Sequence, residues 1–234
     1  MIKITRRLVV LLLGMGLAVH CWSFGADPAP VQVEKYTKAI KLACVGDSIT
    51  QGPWPTQIGK MLGAKWEVKN FGISGSTLLN AGNKPYQKQE AFKNAKEFNP
   101  DVVVIMLGTN DTKPQNWKFK DNFEADYVDM VRQFAELASK PRIYICYPPY
   151  IPGIGNWGIN EPNILAEIPI IDKVAEITKV GVIDVHGALV GKDALFPDRV
   201  HPNAEGSSEI AKAVYKALTG KAPVVAVNKS SDKK

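Results

Sequence analysis

The chain is poor in the residues that hold metals or staple small exported folds, with three cysteines and three histidines among 234 residues. No His-Glu-x-x-His pattern is present either, so zinc finds no obvious set of ligands and neither a metal nor a cofactor is expected. Long apolar runs are equally scarce. The stretch from Leu8 to Val19 is too short for a comfortable membrane span. A basic face is missing too, although the formal net charge is +6. Lys3, Arg6 and Arg7 sit near the start, and Lys221, Lys229, Lys233 and Lys234 outweigh Asp232 at the end, which leaves residues 26–220 formally neutral. Nucleic-acid binding needs a basic surface on the folded body and is set aside.

The charged start followed by the apolar run has the form of a secretory signal peptide. Ser23 and Gly25 supply small residues at the third and last positions before a cut, so cleavage after Gly25 is expected, with residues 1–25 removed. The product would then be exported, periplasmic or secreted, with no stable membrane insertion. Lipidation at Cys21 is the alternative, but His20 stands where a small residue should precede such a cysteine. Residues 221–234 lack apolar periodicity and are expected to form a disordered tail. Cys44 and Cys146 remain in the domain between, 26–220. Each lies in an apolar strand-like run, and the expected topology puts a third strand between them. A disulfide needs Cα atoms within about 7 Å, whereas second-neighbour strands lie roughly 9–10 Å apart, so free buried thiols are expected.

What the chain does have is a regular alternation of short apolar runs and helical patterns. Leu42 to Gly46 is small or apolar without polar alternation, as a strand covered on both faces requires. Helix from Pro55 to Leu62, strand from Trp66 to Phe71, helix from Gln87 to Phe98 and strand from Asp101 to Leu107 follow. Asp121 is expected to cap a helix in which Phe123, Tyr127, Val131, Phe134 and Leu137 recur at spacings of four and three. Strand from Ile143 to Tyr147, helix from Ile164 to Thr178 disturbed by Pro169, strand from Val180 to Val185 and helix from Asn203 to about Leu218 complete the series. Five buried strands alternating with helices predict an α/β fold: a three-layer α/β/α domain on a parallel sheet, with a flavodoxin-like strand order 2-1-3-4-5.

Four loops then fall on one rim of that sheet. The first strand ends at Gly46-Asp47-Ser48, where a serine stands at the usual ligand-binding edge of an open α/β sheet. The second loop is Asn70-Phe71-Gly72-Ile73-Ser74-Gly75-Ser76-Thr77, whose glycines let backbone N–H groups approach a ligand. The third is Gly108-Thr109-Asn110-Asp111. The fourth, Asp198-Arg199-Val200-His201-Pro202-Asn203, precedes the last helix. Serine is a weak nucleophile that needs a base, and the base needs an orienting group. His201, with Asp198 one tight turn before it, is preferred over His186, which has Asp184 two residues before it and could be structural. Asp47 and Asp111 read as turn-holding or capping residues, and Gly75 and Asn110 also admit such roles.

Taken together, the four blocks resemble those of the SGNH (GDSL) hydrolase family, from about Leu42 to the last helix. That resemblance implies Ser48 as nucleophile, His201 and Asp198 as its catalytic partners, and an oxyanion hole formed by Ser48, Gly75 and Asn110. The implied chemistry is transfer of an acyl group from an ester to Ser48 and then to water. The overall look is similar to exported bacterial carbohydrate esterases and sialate O-acetylesterase-like members. Tyr147 to Asn160 should join the same rim, with Tyr150, Asn156 and Trp157 as candidate substrate contacts, because aromatic faces beside amides suit sugar rings. Tyr147 and Trp157 could equally be packing residues. Removal of acetyl groups from a glycan is the expected reaction. A lysophospholipase or arylesterase with a broader acyl pocket, or a silent glycan-binding protein, would carry the same fold.

Overall fold

A computed structural model describes residues 29–222. The expected signal peptide, the Gly25 cut, Cys21 and the tail beyond residue 222 lie outside the described residues. Five strands, β1 (Ile40–Gly46), β2 (Trp66–Gly72), β3 (Val102–Met106), β4 (Arg142–Cys146) and β5 (Gly181–Ile183), form one sheet. Its order is β2-β1-β3-β4-β5 and every pairing is parallel, as expected.

The helices are α1 (Ser48–Gln51), α2 (Trp54–Leu62), α3 (Glu90–Glu97), α4 (Pro114–Trp117), α5 (Phe123–Ala135), α6 (Glu161–Thr178), α7 (Val185–Leu189) and α8 (Ala204–Thr219). The period-two alternation of the strands divides their side chains between two cores. Leu42, Cys44, Val102, Val104 and Tyr144 face Ile58, Leu189, Ile210 and Val214 on α2, α7 and α8. Ala43, Val45, Val103, Ile105 and Ile145 face Phe92, Tyr127, Phe134 and Ile171 on α3, α5 and α6. Both faces of the central strands are therefore buried, which is why they read as unbroken apolar runs. Cys44 and Cys146 are free and buried. They lie on β1 and β4, with β3 between.

Two local expectations need correction. Asp121 lies in a short 3₁₀ turn, Lys120–Asn122, and Asn122 rather than Asp121 precedes α5, without a side-chain cap. The apolar stripe, not the cap, secures α5: Phe123, Tyr127, Val131 and Phe134 are all buried. The helical pattern expected from Gln87 to Phe98 splits into a 3₁₀ turn at Tyr86–Lys88 and α3, because Gln89 is extended between them. Pro169 is accommodated inside α6.

The strand order reverses between β1 and β3, so the connections leaving their carboxyl ends, which stay paired at Gly46 and Met106, run in opposite directions and leave a crevice at that edge. Gly46-Asp47-Ser48 and Gly108-Thr109-Asn110 both emerge at that edge.

Candidate active site

Ser48 is the first residue of α1, presented by a turn that only glycine can make. A Cβ on Gly46 would lie 2.1 Å from Thr50 Oγ1 and 2.5 Å from the Met106 carbonyl. Asp47 closes the turn by accepting the Ile49 N–H at Oδ1, 2.9 Å, so it is the cap of α1. At the far end of the chain, Asn203 caps α8 by accepting the N–H groups of Glu205 and Gly206, each at 3.0 Å. Such a cap is typically worth about 1 kcal/mol and fixes where the preceding loop meets the sheet edge.

That loop carries His201 to Ser48. Ser48 Oγ and His201 Nε2 are 2.8 Å apart, although 153 residues separate them in sequence. His201 Nδ1 is 2.7 Å from Asp198 Oδ2, while Asp198 Oδ1 accepts the N–H groups of His201 at 2.7 Å and Val200 at 3.0 Å. Partial burial pushes the Asp198 carboxyl up, but the hydrogen bonds from the His201 ring and the two N–H groups outweigh it and hold the carboxyl below its usual range. The aspartate thus stays ionised where it can orient the imidazole and stabilise the imidazolium. Arg199, left-handed at φ 63°, donates through Nη2 and Nε to the Pro152 carbonyl at 2.6 and 3.2 Å, tying this loop to the one after β4.

His186 is placed elsewhere. Its Nε2 lies 2.6 Å from Glu161 Oε1, and Glu161 Oε2 accepts the Ile151 N–H at 2.8 Å. Asp184 instead caps α7 through the Gly187 N–H. Glu161 therefore ties the loop after β4 to the start of α6, and His186, on α7, holds the other oxygen of that carboxylate.

The two loops that should supply oxyanion donors are clamped to each other. Asp111 is fully buried and accepts the Leu78 and Leu79 N–H groups at 3.0 and 2.8 Å, so it holds the loop after β2 rather than capping its own segment. Asn116 adds a second clamp, donating to the Asn110 carbonyl at 2.8 Å and pairing with Asn83. Gly75 turns at φ 77°. Among the described residues, neither the Ser48 nor the Gly75 N–H is taken by a backbone carbonyl. Asn110 is buried, its amide nitrogen 3.1 Å from the Ser76 carbonyl and 3.4 Å from Asp47 Oδ2. The shorter contact anchors the amide. The longer one is the weaker of the two and the more readily exchanged for another acceptor.

Beside these loops lies a group of buried carboxyls, of which the sequence singles out Asp47 and Asp111 as turn-holding or capping residues but not Glu167. Desolvation pushes Asp47 up to about 6 and Asp111 up to about 7, each against the pull of backbone N–H donors. Glu167, on α6, is fully buried beside Gly108, and burial raises its carboxyl well above the usual range, with Asp111 and Asp47 adding to the rise. Its one sequence signal is a charge at Glu167 inside the apolar run Ile164 to Ile171.

Of the three candidate substrate contacts, the structure brings Trp157 to His201. Its ring stands edge to face with His201, centroids 5.8 Å apart, and is 60% exposed. Trp157 sits at φ 60°, ψ 17°, a conformation costly for a bulky side chain. Gly158 follows at φ 77°, and a Cβ there would lie 2.8 Å from Pro114 Cδ, so the turn is pressed against the segment that follows Asn110. Asn156 opens the same turn and is exposed. Tyr150 packs edge-on against His186 and Phe196 and donates to Asp193 at 3.0 Å, so its contacts are structural ones away from the triad.

A serine, a histidine and an aspartate in relay contact, with backbone and amide donors on adjoining loops, form the constellation of a serine acylhydrolase. The sequence model of the GDSL-like lipase/acylhydrolase family matches residues 44–208, and the chain belongs to that family. An acetylxylan esterase from Xylanibacter ruminicola is 36% identical over 220 residues, covering 82% of this chain and 44% of that protein. The chain spans less than half the length of the curated relatives it matches. Among solved structures, the acetylxylan esterase Axe2 from Geobacillus stearothermophilus superposes with a TM-score of 0.62 at 23% identity, covering 77% of this chain and 94% of that one. The acetyl xylan esterase AlAXEase gives a TM-score of 0.63 at 25% identity, over 76% and 100% of the two chains.

Proposed function

We propose that this protein is a serine esterase that removes O-acetyl groups from a carbohydrate, with acetylated xylan or a similar plant glycan as the substrate class. Ser48 Oγ attacks the acetyl carbonyl as His201 Nε2 takes its proton. The carbonyl oxygen becomes an oxyanion facing the N–H groups of Ser48 and Gly75 and the Asn110 amide. Collapse of this intermediate breaks the bond to the sugar oxygen, which receives the proton from His201, and leaves acetyl-Ser48. Water, deprotonated by His201, then releases acetate and restores the serine.

The observation that carries the carbohydrate reading is Trp157, an exposed indole held in a strained conformation beside His201. A strained, exposed aromatic is retained where it meets something, and its face suits the C–H face of a sugar ring. The acetylxylan esterase relative supports the same reading. The intact Ser48–His201–Asp198 relay favours an enzyme over a silent binding protein.

Acetate release from acetylated xylo-oligosaccharides, measured beside a chain-length series of p-nitrophenyl esters, tests this. The expected result is turnover of the oligosaccharide and of the acetyl ester, falling steeply with longer acyl groups, and none by the Ser48→Ala variant. Preference for long acyl chains would transfer the protein to the lysophospholipase or arylesterase class.

Export is part of the proposal. Its support is the run of Lys3, Arg6 and Arg7 before Leu8 to Val19, with small residues at Ser23 and Gly25. The intact mass of the exported protein should correspond to a chain starting at Ala26, and a lipidated Cys21 at the N-terminus would contradict it.

A further inference from the structure

Lys113 stands three residues beyond Asn110 and is half-buried. Its main chain is fixed, since its N–H reaches the Asn110 carbonyl at 3.4 Å and its carbonyl accepts the Asn116 and Trp117 N–H groups at 2.8 Å. Its ammonium lies 5.8 Å from the centre of the Trp157 ring, the same ring that flanks His201. Among the described residues, no carboxylate lies within ion-pairing distance of it. Burial pulls its ammonium down, and the charges that oppose this, Asp47 and Asp111, are fully buried carboxyls committed to backbone N–H groups. The ammonium is thus held by the Trp157 ring and by the more distant field of two buried carboxyls, with no direct counter-ion among the described residues, and an anion arriving from solvent would complete its partners.

A second lysine strengthens the field from the other oxyanion loop. Lys84 lays its aliphatic stem beside Gly75 and donates to the Ser74 carbonyl at 2.9 Å, again without an ion-pair partner among the described residues. Asp198, a partly exposed carboxylate on this rim, is taken up by His201. Each of the two loops adjoining Ser48 thus carries a lysine with no ion-pair partner among the described residues.

We propose that Lys113 and Trp157 form a subsite for a carboxylate-bearing sugar, so that the preferred substrate is an acidic acetylated glycan with a uronic acid next to the acetylated residue. This rests on the carbohydrate-esterase reading above and narrows it. The indole supports one sugar face while the ammonium meets the carboxylate, a division of labour that a neutral xylo-oligosaccharide leaves half used. Electrostatic attraction also makes the preference dependent on ionic strength.

The test compares kcat/KM on two acetylated xylo-oligosaccharides of equal length, one neutral and one with a uronic acid substituent, at low and high sodium chloride. The native protein is expected to favour the acidic substrate about tenfold at low salt, with the ratio falling as salt rises. Lys113→Met should bring that ratio near unity, and Lys113→Arg should keep most of it, with p-nitrophenyl acetate turnover and circular dichroism reporting that each variant is folded. Equal kcat/KM on both oligosaccharides for the native protein, or an undiminished ratio in Lys113→Met, would overturn the subsite while leaving the esterase reading intact. Hydrolysis of p-nitrophenyl acetate with neither oligosaccharide cleaved would overturn the carbohydrate reading and the subsite with it.

Discussion

Asn110 offers its amide nitrogen to the Ser76 carbonyl at 3.1 Å and to Asp47 Oδ2 at 3.4 Å, so the residue beside Ser48 also touches the amide proposed for the oxyanion hole. The same Asp47 holds the α1 turn through the Ile49 N–H. Asp47 therefore links the turn that presents Ser48 to Asn110 across 62 residues of intervening sequence, while the Ser76 carbonyl anchors the amide more firmly.

Replacing Asn110 by alanine is expected to lower kcat by about 10²–10³ with KM nearly unchanged, because its amide is aimed at charge that develops only in the transition state. Steady-state kinetics on p-nitrophenyl acetate measure the split. A change confined to KM would remove Asn110 from the oxyanion hole.

The two histidines separate by partner. His201→Ala removes the base bonded to Ser48 and should abolish nearly all turnover. His186→Ala breaks the link through Glu161 to Ile151, and the loop carrying Trp157 loses an anchor. Turnover of a small ester is expected to stay within about tenfold, with a larger loss on an oligosaccharide. Comparable collapse in both variants on p-nitrophenyl acetate, with the fold intact by circular dichroism, would refute this division.

Residues whose role depends on their own stretch of chain were legible in the sequence. Val102 to Met106 are buried on both sides of the sheet, and the pattern says so directly. Asp198 reaches His201 across three residues, and Asn203 caps the helix it precedes. Residues whose role depends on distant packing were not. Asp111 reads as a local cap because local capping is the commonest use of an aspartate at that place, yet its acceptors are spent on Leu78 and Leu79, more than thirty residues away. Tyr150 and Trp157 look alike as aromatic members of one loop. The fold separates them by filling the space around Tyr150 with His186 and Phe196 while leaving Trp157 open. Lys113 had no motif, because an unpaired charge is visible only once the neighbours that fail to pair with it are in place.

Trp157→Ala is expected mainly to raise KM for an acetylated oligosaccharide and to spare p-nitrophenyl acetate, since a platform meets the remote sugar and not the reacting carbonyl. The variant also exchanges a bulky side chain at φ 60° for a small one, so thermal stability should hold or rise slightly. Equal impairment of both substrates would make Trp157 a packing residue of the His201 loop.

The buried carboxyls give the protein an unusual pH dependence. Asp47 and Asp111 have an ordinary value of 3.8 and are raised by desolvation to about 6 and about 7. Between pH 4 and pH 7 the folded state therefore holds more protons than the unfolded chain, and stability falls as pH rises through this window. Above it both carboxyls are ionised in either state and the cost stays constant. Glu167, raised in the same sense, extends the trend upward. In the opposite direction, Asp198 and Glu209 are held below their usual values, so stability is lost again as pH drops under about 4. At about 1.4 kcal/mol per pH unit of displacement, Asp47 and Asp111 together weaken the fold by about 4 kcal/mol, or roughly 8–16 °C in Tm, between pH 5 and pH 8. Calorimetric or circular-dichroism melts across that range should show Tm highest near pH 5. Asp111→Asn should melt lower at every pH, having lost one acceptor for the Leu78 and Leu79 N–H groups, but its Tm should vary less between pH 5 and pH 8. A native Tm that is flat or rises from pH 5 to pH 8 would mean that these carboxyls are ionised in the folded protein throughout, and that the loops around Asn110 are built on a charged rather than a neutral base.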